Sequence, residues 1–339
     1  MNICVIYSSG KLGDLIWHLP FIKIISNKYK KKVILVTRSS TEAKELLKNE
    51  PYLEEVIYNE FKKDFFSYWK EVFYLRNLLN HKRVDDIWIL DKISRPAIAG
   101  FLSKAKNVFG YGVGTQRIFL TNTNYLIKSD LKTHYIARGK KFLKLMRFSK
   151  VYEEPLVNID NKQITLIRKK IKLTDKIIIS YGVDSREPHR MWPIKKFVEL
   201  INKISDKFDA QHCIISSPSN QKIVLEIISC FSDLEIYDCS QLKIIELAPL
   251  LKASKIFIGN DSGPYNLSAA VGTIAIGING ALKPLKHSRF FKPVTPIGGD
   301  NYSLNDRPID KFGREIKESW IQDRILVNQV YEVFLKYIS

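Results

Sequence analysis

Three short segments of the 339-residue chain hold residue types that could do chemistry. The first is Ser8-Ser9-Gly10-Lys11-Leu12-Gly13-Asp14-Leu15. A strand-like run precedes it and helical spacing follows. In parallel α/β sheets such a turn lies at the carboxyl ends of the strands, where ligands bind. Gly10 and Gly13 permit tight turning and close backbone approach. Their G-x-x-G spacing fits neither the dinucleotide fingerprint nor the P-loop, which argues against an NAD enzyme or an ATPase. Asp14 stands where a helix N-cap would stand, and capping alone accounts for it. The other reading is a carboxylate that takes a proton from an attacking hydroxyl. Pro20, inside the apparent helix, is expected to kink or end it.

The second segment runs Gly259-Asn260-Asp261-Ser262-Gly263-Pro264-Tyr265-Asn266, after the apolar run Ile256–Ile258. Pro264 suits a helix start, and Asp261 or Ser262 suits its cap. An ordinary capped helix explains the pattern. So does a phosphate site, because a helix N-terminus offers unpaired N–H groups and the positive end of the dipole. The third segment is His189-Arg190-Met191-Trp192-Pro193, after the loop that carries Arg186. Two arginines at a sheet's carboxyl end can hold a pyrophosphate bidentately or can simply be solvated. Trp192 reads as core. No D-x-D triplet, G-x-S-x-G elbow, zinc finger or RNA-binding motif occurs, and the six histidines do not pair at metal spacing.

These turns need a scaffold, and the chain supplies an alternating one. Strand-length apolar runs at 2–7, 32–37 and 86–90 alternate with amphipathic segments. The rhythm restarts at 176–180, 212–216, 255–258 and 273–278. That alternation predicts two parallel sheets covered on both faces. The mixed-polarity stretch 152–174 marks the boundary. Trp320–Tyr337 has helical spacing, and Phe65, Phe66, Tyr68 and Trp69 read as a buried helix face. Lys+Arg exceeds Asp+Glu by 54 to 35, a net charge of +19. Such a surplus suits a solvated basic surface, an anionic membrane, a phosphorylated substrate or nucleic acid. Four cysteines without a C-x-x-C pair, and a strand-like N-terminus in place of a signal peptide, read as a reduced cytosolic protein.

Together the three segments resemble the bacterial lipopolysaccharide heptosyltransferases, glycosyltransferase family 9. Ser9 to Asp14 is similar to the family's L-G-D motif, with Pro20 following. Gly259 to Pro264 is similar to its G-N-D-S-G-P motif, and Arg190 to Pro193 to its K-x-W-P element. The family has Lys where Arg190 stands and His where Asn266 stands. The resemblance implies a GT-B fold: two facing Rossmann-like α/β domains, 1–160 for the acceptor and 161–318 for the nucleotide sugar. A C-terminal helix, 319–339, would pack back on the first domain. It implies inverting, metal-independent transfer of heptose from ADP-L-glycero-D-manno-heptose to Kdo or the first heptose of the inner core, with no cofactor. Asp14 would be the base and Arg190 would meet the leaving charge. Gly13, Arg186, Asp261, Ser262, Gly263 and Asn266 would hold the donor. Lys11, Lys62, Lys63 and Arg117 are the candidate acceptor contacts. The partners implied are a lipid A-Kdo or inner-core acceptor and the cytoplasmic face of the inner membrane, with no nucleic acid. The competing readings are a related enzyme using another nucleotide sugar or acceptor, and an inactive basic binding protein.

Overall fold

The computed structural model describes residues 1–60, 65–133, 135–186, 191–278, 294–297 and 325–338. The chain divides into two units, Met1–Asn158 and Ile159–Ser339.

In the first unit the order is β1 (Asn2–Ile6), α1 (Leu12–Ile16), α2 (Leu19–Tyr29), β2 (Val33–Thr37), α3 (Ala43–Leu46), β3 (Leu53–Tyr58), α4 (Phe65–His81), β4 (Val84–Ile89), α5 (Arg95–Phe101), β5 (Asn107–Gly110) and α6 (Tyr135–Leu145). The five strands are parallel in the order β3-β2-β1-β4-β5. The sheet reverses its winding between β1 and β4, the kind of place where open α/β sheets bind ligands. Central strands buried on both faces must be apolar throughout, and β1 and β2 are. One face is covered by α4 and α5 through Val72, Leu75, Leu79 and Ala97–Ala99. Helix α6 packs Phe142 under Trp88, with ring centroids 6.0 Å apart.

Two expectations change here. The helix expected from 15 to 28 is two helices broken at Trp17–His18, and Pro20 lies in the first turn of the second. Proline is tolerated there because that N–H has no intrahelical partner. On α4 the inward stripe is Val72, Leu75 and Leu79, which turns Trp69 outward at 46% exposure. The side chains of Phe65 and Phe66 lie outside the described residues.

The second unit runs α7 (Asn161–Lys170), β6 (Ile177–Gly182), α8 (Ile194–Ser205), β7 (Ala210–Ile215), α9 (Gln221–Ile228), β8 (Ile236–Asp238), α10 (Ile244–Ala253), β9 (Ile256–Asn260), α11 (Gly263–Ala270), β10 (Ile274–Ile278), β11 (Val294–Ile297) and α12 (Val327–Ile338). Its parallel sheet has the order β11-β10-β9-β6-β7-β8. That is the Rossmann order, with the reversal between β6 and β9. At that reversal Gly182 pairs with Gly259. A Cβ on Gly259 would lie 2.6 Å from the Gly182 carbonyl oxygen, so only glycine fits.

The last helix is built into the second unit. Val330, Tyr331 and Phe334 of α12 join the core of the second unit with Phe197, Ile201 and Ile204 of α8. Trp192 Nε1 and Lys196 Nζ both donate to the Ile325 carbonyl at 3.0 Å, anchoring the helix start. The apolar stripe of α8 needs a cover, and α12 provides it.

Candidate active site

The turn after β1 is built into the carboxyl edge of the first sheet. Ser8 N donates to Asp91 Oδ2 at 2.8 Å, joining the ends of β1 and β4. Ile93 N holds the other Asp91 oxygen at 2.8 Å. Burial raises the pKa of Asp91, against these bonds that lower it. Arg38, just past β2, reaches the Ser8 carbonyl through Nε at 3.4 Å and the Asn59 carbonyl through a terminal nitrogen. Glu71, fully buried on α4, receives Arg38 and Arg95 at 3.0 Å each and Asn59 Nδ2 at 2.8 Å. Gly10 has Ser40 against it. Ser40 Oγ donates to the Gly10 carbonyl at 2.9 Å and would lie 2.5 Å from a Cβ there.

On this base stands Asp14, half-buried, and it is not a cap. The N-cap position of α1 is Lys11, whose exposed side chain makes no capping bond. Gly13 and Asp14 follow inside the first turn, where a carboxylate is favoured by the helix dipole. Asp14 Oδ2 lies 3.5 Å from Ser9 Oγ and 3.4 Å from the Tyr135 hydroxyl, both long for hydrogen bonds. His18 Nδ1 sits 2.7 Å from the Asp14 carbonyl, which only accepts, so Nδ1 carries the proton. Burial lowers the His18 pKa to about 4, helped by the charge of Arg138 and opposed by that bond. The imidazole is therefore neutral at pH 7. It lies between Tyr7 and Tyr135, at 4.2 and 5.5 Å. Burial, then the Asp14 charge, pushes both phenols up, so they stay protonated. The Asp14 carboxyl thus sits beside rings that are uncharged at pH 7.

The turn after β9 opens a second helix, α11. Ser262 is the N-cap of α11 in extended backbone, with no side-chain cap bond, and Pro264 lies in the first turn. Asp261, Ser262 and Gly263 are half-buried at the helix mouth. Asn260 is fully buried. Its Oδ1 accepts Trp192 N at 2.9 Å, while its Nδ2 has no hydrogen-bond partner among the described residues. Ser262 Oγ and Asn266 Oδ1 are buried and lack partners in the same sense. Asn266 Nδ2 is committed to the Ser262 carbonyl at 3.2 Å. A buried polar group without a partner costs stability. Three such groups lie around one helix N-terminus. Two of them, Asn260 Nδ2 and Ser262 Oγ–H, are donors suited to an anion.

Beside it, Asp184 follows β6 and ties down the loop after β7. Its Oδ2 accepts Ser217 N at 2.8 Å, Ser217 Oγ at 2.7 Å and Asn220 Nδ2 at 3.2 Å. No local pattern in the sequence announces this carboxylate, because Asp184 arrives from another strand. Asn260 was missed as well, although it lies inside the motif. Arg186 is exposed two residues beyond Asp184. Arg117, exposed on the 3₁₀ turn Gly114–Phe119, stacks over Tyr125 at 4.5 Å and makes no contact with the Asp14 group. Arg190, Lys62 and Lys63 lie outside the described residues. Among the described residues, no three His, Cys, Asp or Glu side chains gather to hold a metal. No described helix is long and apolar enough to cross a membrane.

Comparison with known proteins gives a consistent result. The model of glycosyltransferase family 9 (heptosyltransferase) matches residues 74–309. A lipopolysaccharide heptosyltransferase 1 of Campylobacter coli is 24% identical, across 98% of this chain and 99% of that protein. The E. coli ADP-heptose LPS heptosyltransferase II is similar in fold, with a TM-score of 0.75 and 16% identity over 99% and 98% of the two chains. An E. coli heptosyltransferase, WaaC, with ADP-2-deoxy-2-fluoro heptose superposes with a TM-score of 0.67 at 14% identity, over 99% of each chain.

Proposed function

Because the chain belongs to glycosyltransferase family 9 and is a glycosyltransferase, we propose that it moves heptose from ADP-L-glycero-D-manno-heptose to the inner core of lipopolysaccharide, on Kdo or the first heptose. The observation that carries the donor half is the set of unpartnered buried donors at the α11 N-terminus. Asn260 Nδ2, Ser262 Oγ and the first-turn N–H groups suit the diphosphate. Asn266 Oδ1 is an acceptor and repels phosphate, so it suits a hydroxyl of the donor. Asp184 steadies the neighbouring loop, and Arg186 and Arg190 add positive charge.

Asp14 is the base in this reading. Its carboxylate takes the proton of the acceptor hydroxyl as that oxygen bonds to the anomeric carbon. The bond from that carbon to the diphosphate oxygen breaks, the configuration inverts, and ADP leaves with the electron pair. Fixed dipoles and cations aimed at the leaving charge stabilise the transition state, so the reading requires no metal and no cofactor. Lys11, Lys62, Lys63 and Arg117 remain proposals for an anionic acceptor. The enzyme would work at the cytoplasmic face of the inner membrane, held peripherally.

Calorimetry with ADP, UDP and a DNA duplex at two salt concentrations tests the reading. ADP should bind saturably, ahead of UDP and with little loss in salt, and the chain should then transfer heptose from ADP-heptose. A preference for UDP would favour a different nucleotide sugar, a reading that Asn266 in the place of histidine keeps in view. Salt-labile binding of DNA alone would overturn both.

A further inference from the structure

The outward side of the α4–α5 layer has no role in the chemistry above. It exposes large apolar side chains. Trp69, Phe73 and Tyr74 of α4 are 46, 48 and 40% exposed. Phe101 and Leu102, at the end of α5, are 62 and 41% exposed, and Ile118 on the neighbouring 3₁₀ turn is 73% exposed. They form one belt. The Trp69 and Phe73 rings are 6.2 Å apart. Arg76 of α4 donates through Nε to the Leu102 carbonyl at 3.2 Å, tying the two helices together. Phe101 meets Phe119 edge-on at 5.6 Å, beside Ile118. Soluble monomers seldom expose such a continuous apolar surface without a use for it.

The charge around the belt is mostly positive, with Lys106 paired to Asp85 and Arg95 to Glu71. From Lys92 to Ser129 there are six Lys or Arg and no Asp or Glu. Helix α4 adds Lys70 and Arg76, and its single acid, Glu71, is turned inward onto Arg38 and Arg95. Lys70, Lys104 and Arg117 stand exposed near the aromatic side chains.

We infer that this face docks on the surface of an anionic lipid bilayer. Aromatic rings at headgroup depth, flanked by Lys and Arg, suit that boundary. A symmetric dimer through the same face would set like charges against each other. Nucleic acid would use flat rings for stacking, and Leu102 and Ile118 offer none. The inference deepens the proposed function and rests on its lipid-borne acceptor for the reason a bilayer is present.

The test uses the full chain and vesicles that contain no acceptor. Binding is measured to phosphatidylcholine vesicles with and without phosphatidylglycerol. We expect binding only to the anionic vesicles, weakened by salt. The double variant Phe73→Ser, Phe101→Ser should bind at least about tenfold more weakly, through lost apolar burial. Trp17, Trp88 and Trp192 are at most 1% exposed. Trp320 lies outside the described residues, so the comparison uses a Trp320→Phe background: brominated lipid should quench emission there, and adding Trp69→Phe should remove that quenching. No binding to anionic vesicles at low salt overturns the inference. So does unchanged binding by the double variant, or a concentration-dependent dimer that the double variant dissolves. Transfer to a lipid-free acceptor, run beside it, should be equal in wild type and double variant. If the wild type transfers nothing there, the functional reading fails while the vesicle result stands by itself.

Discussion

The turns after β1 and after β9 each lie beside the place where their sheet reverses winding, yet they are held differently. The first has its backbone held from within, although Ser8 Oγ and Asn59 Oδ1 there are also buried without partners among the described residues. Asp91, Arg38 and Ser40 hold its backbone, and buried Glu71 holds the arginines. The second leaves Asn260 Nδ2, Ser262 Oγ and Asn266 Oδ1 without partners among the described residues. A turn that must aim one carboxylate gains from rigid support. In the proposed reading, a turn that closes around a charged ligand keeps its donors open, at a cost in stability that the ligand offsets.

The largest way to break that contrast is to remove the support. Glu71 is 1% exposed and pairs with two mostly buried arginines. Glu71→Ala should lower stability by about 3 kcal/mol, the scale for stripping one partner from a buried ion pair. Hydrogen exchange should report the loss at the ends of β1, β2 and β4, with the second unit still protected and ADP affinity unchanged. Equal loss of protection in both units would remove the distinction.

Acid should not tell the two units apart. His18 in the first and His212 in the second are each held near pKa 4, chiefly by burial, below the ordinary 6.5. Between those values the unfolded chain binds protons that the folded chain does not. The stabilisation is full above pH 6.5 and is lost as pH falls toward 4. From pH 7 to 5 each histidine should cost about 2 kcal/mol. Denaturant melts of His18→Asn and His212→Asn at both pH values should each show a shallower pH slope than wild type. An unchanged slope would mean that the rings are already charged.

The smallest change sharpens the second turn. Asn266→Asp places a negative charge beside the proposed diphosphate. ADP affinity should fall about tenfold, or 1.4 kcal/mol. Thermal stability should fall as well, because the buried carboxylate loses the Asn266 Nδ2 bond to the Ser262 carbonyl and faces that oxygen without a donor. Unchanged ADP affinity by calorimetry would place the diphosphate elsewhere.

How much of this was legible in the sequence follows the range of each interaction. Asp261–Ser262–Gly263–Pro264 acts within one turn, so its spacing alone announced where a helix starts, though Ser262 makes no side-chain cap bond there. The alternating runs announced two parallel sheets, because strands buried on both faces are apolar throughout. Asp14 fits both a cap and a base in the sequence, but α1 starts earlier, at Leu12, and only the backbone shows it. Glu71 with Arg38 and Arg95 joins three separate elements, and no local pattern predicts that meeting. Asp184 reaches the loop after β7 from β6 for the same reason. The apolar stripe of α12 was legible, but not the surface it covers, since α8 offers a groove that only the fold assembles.

The central claim is a division of labour: Asp14 takes the proton, and the α11 turn holds the donor. Asp14→Asn tests it most directly, with turnover from ADP-heptose and ADP affinity measured on the same preparation. Turnover should fall about a hundredfold or more, in the range for loss of a general base, while ADP binds as in wild type. Normal turnover in Asp14→Asn would contradict the account and leave Asp14 as an acidic residue of a short helix.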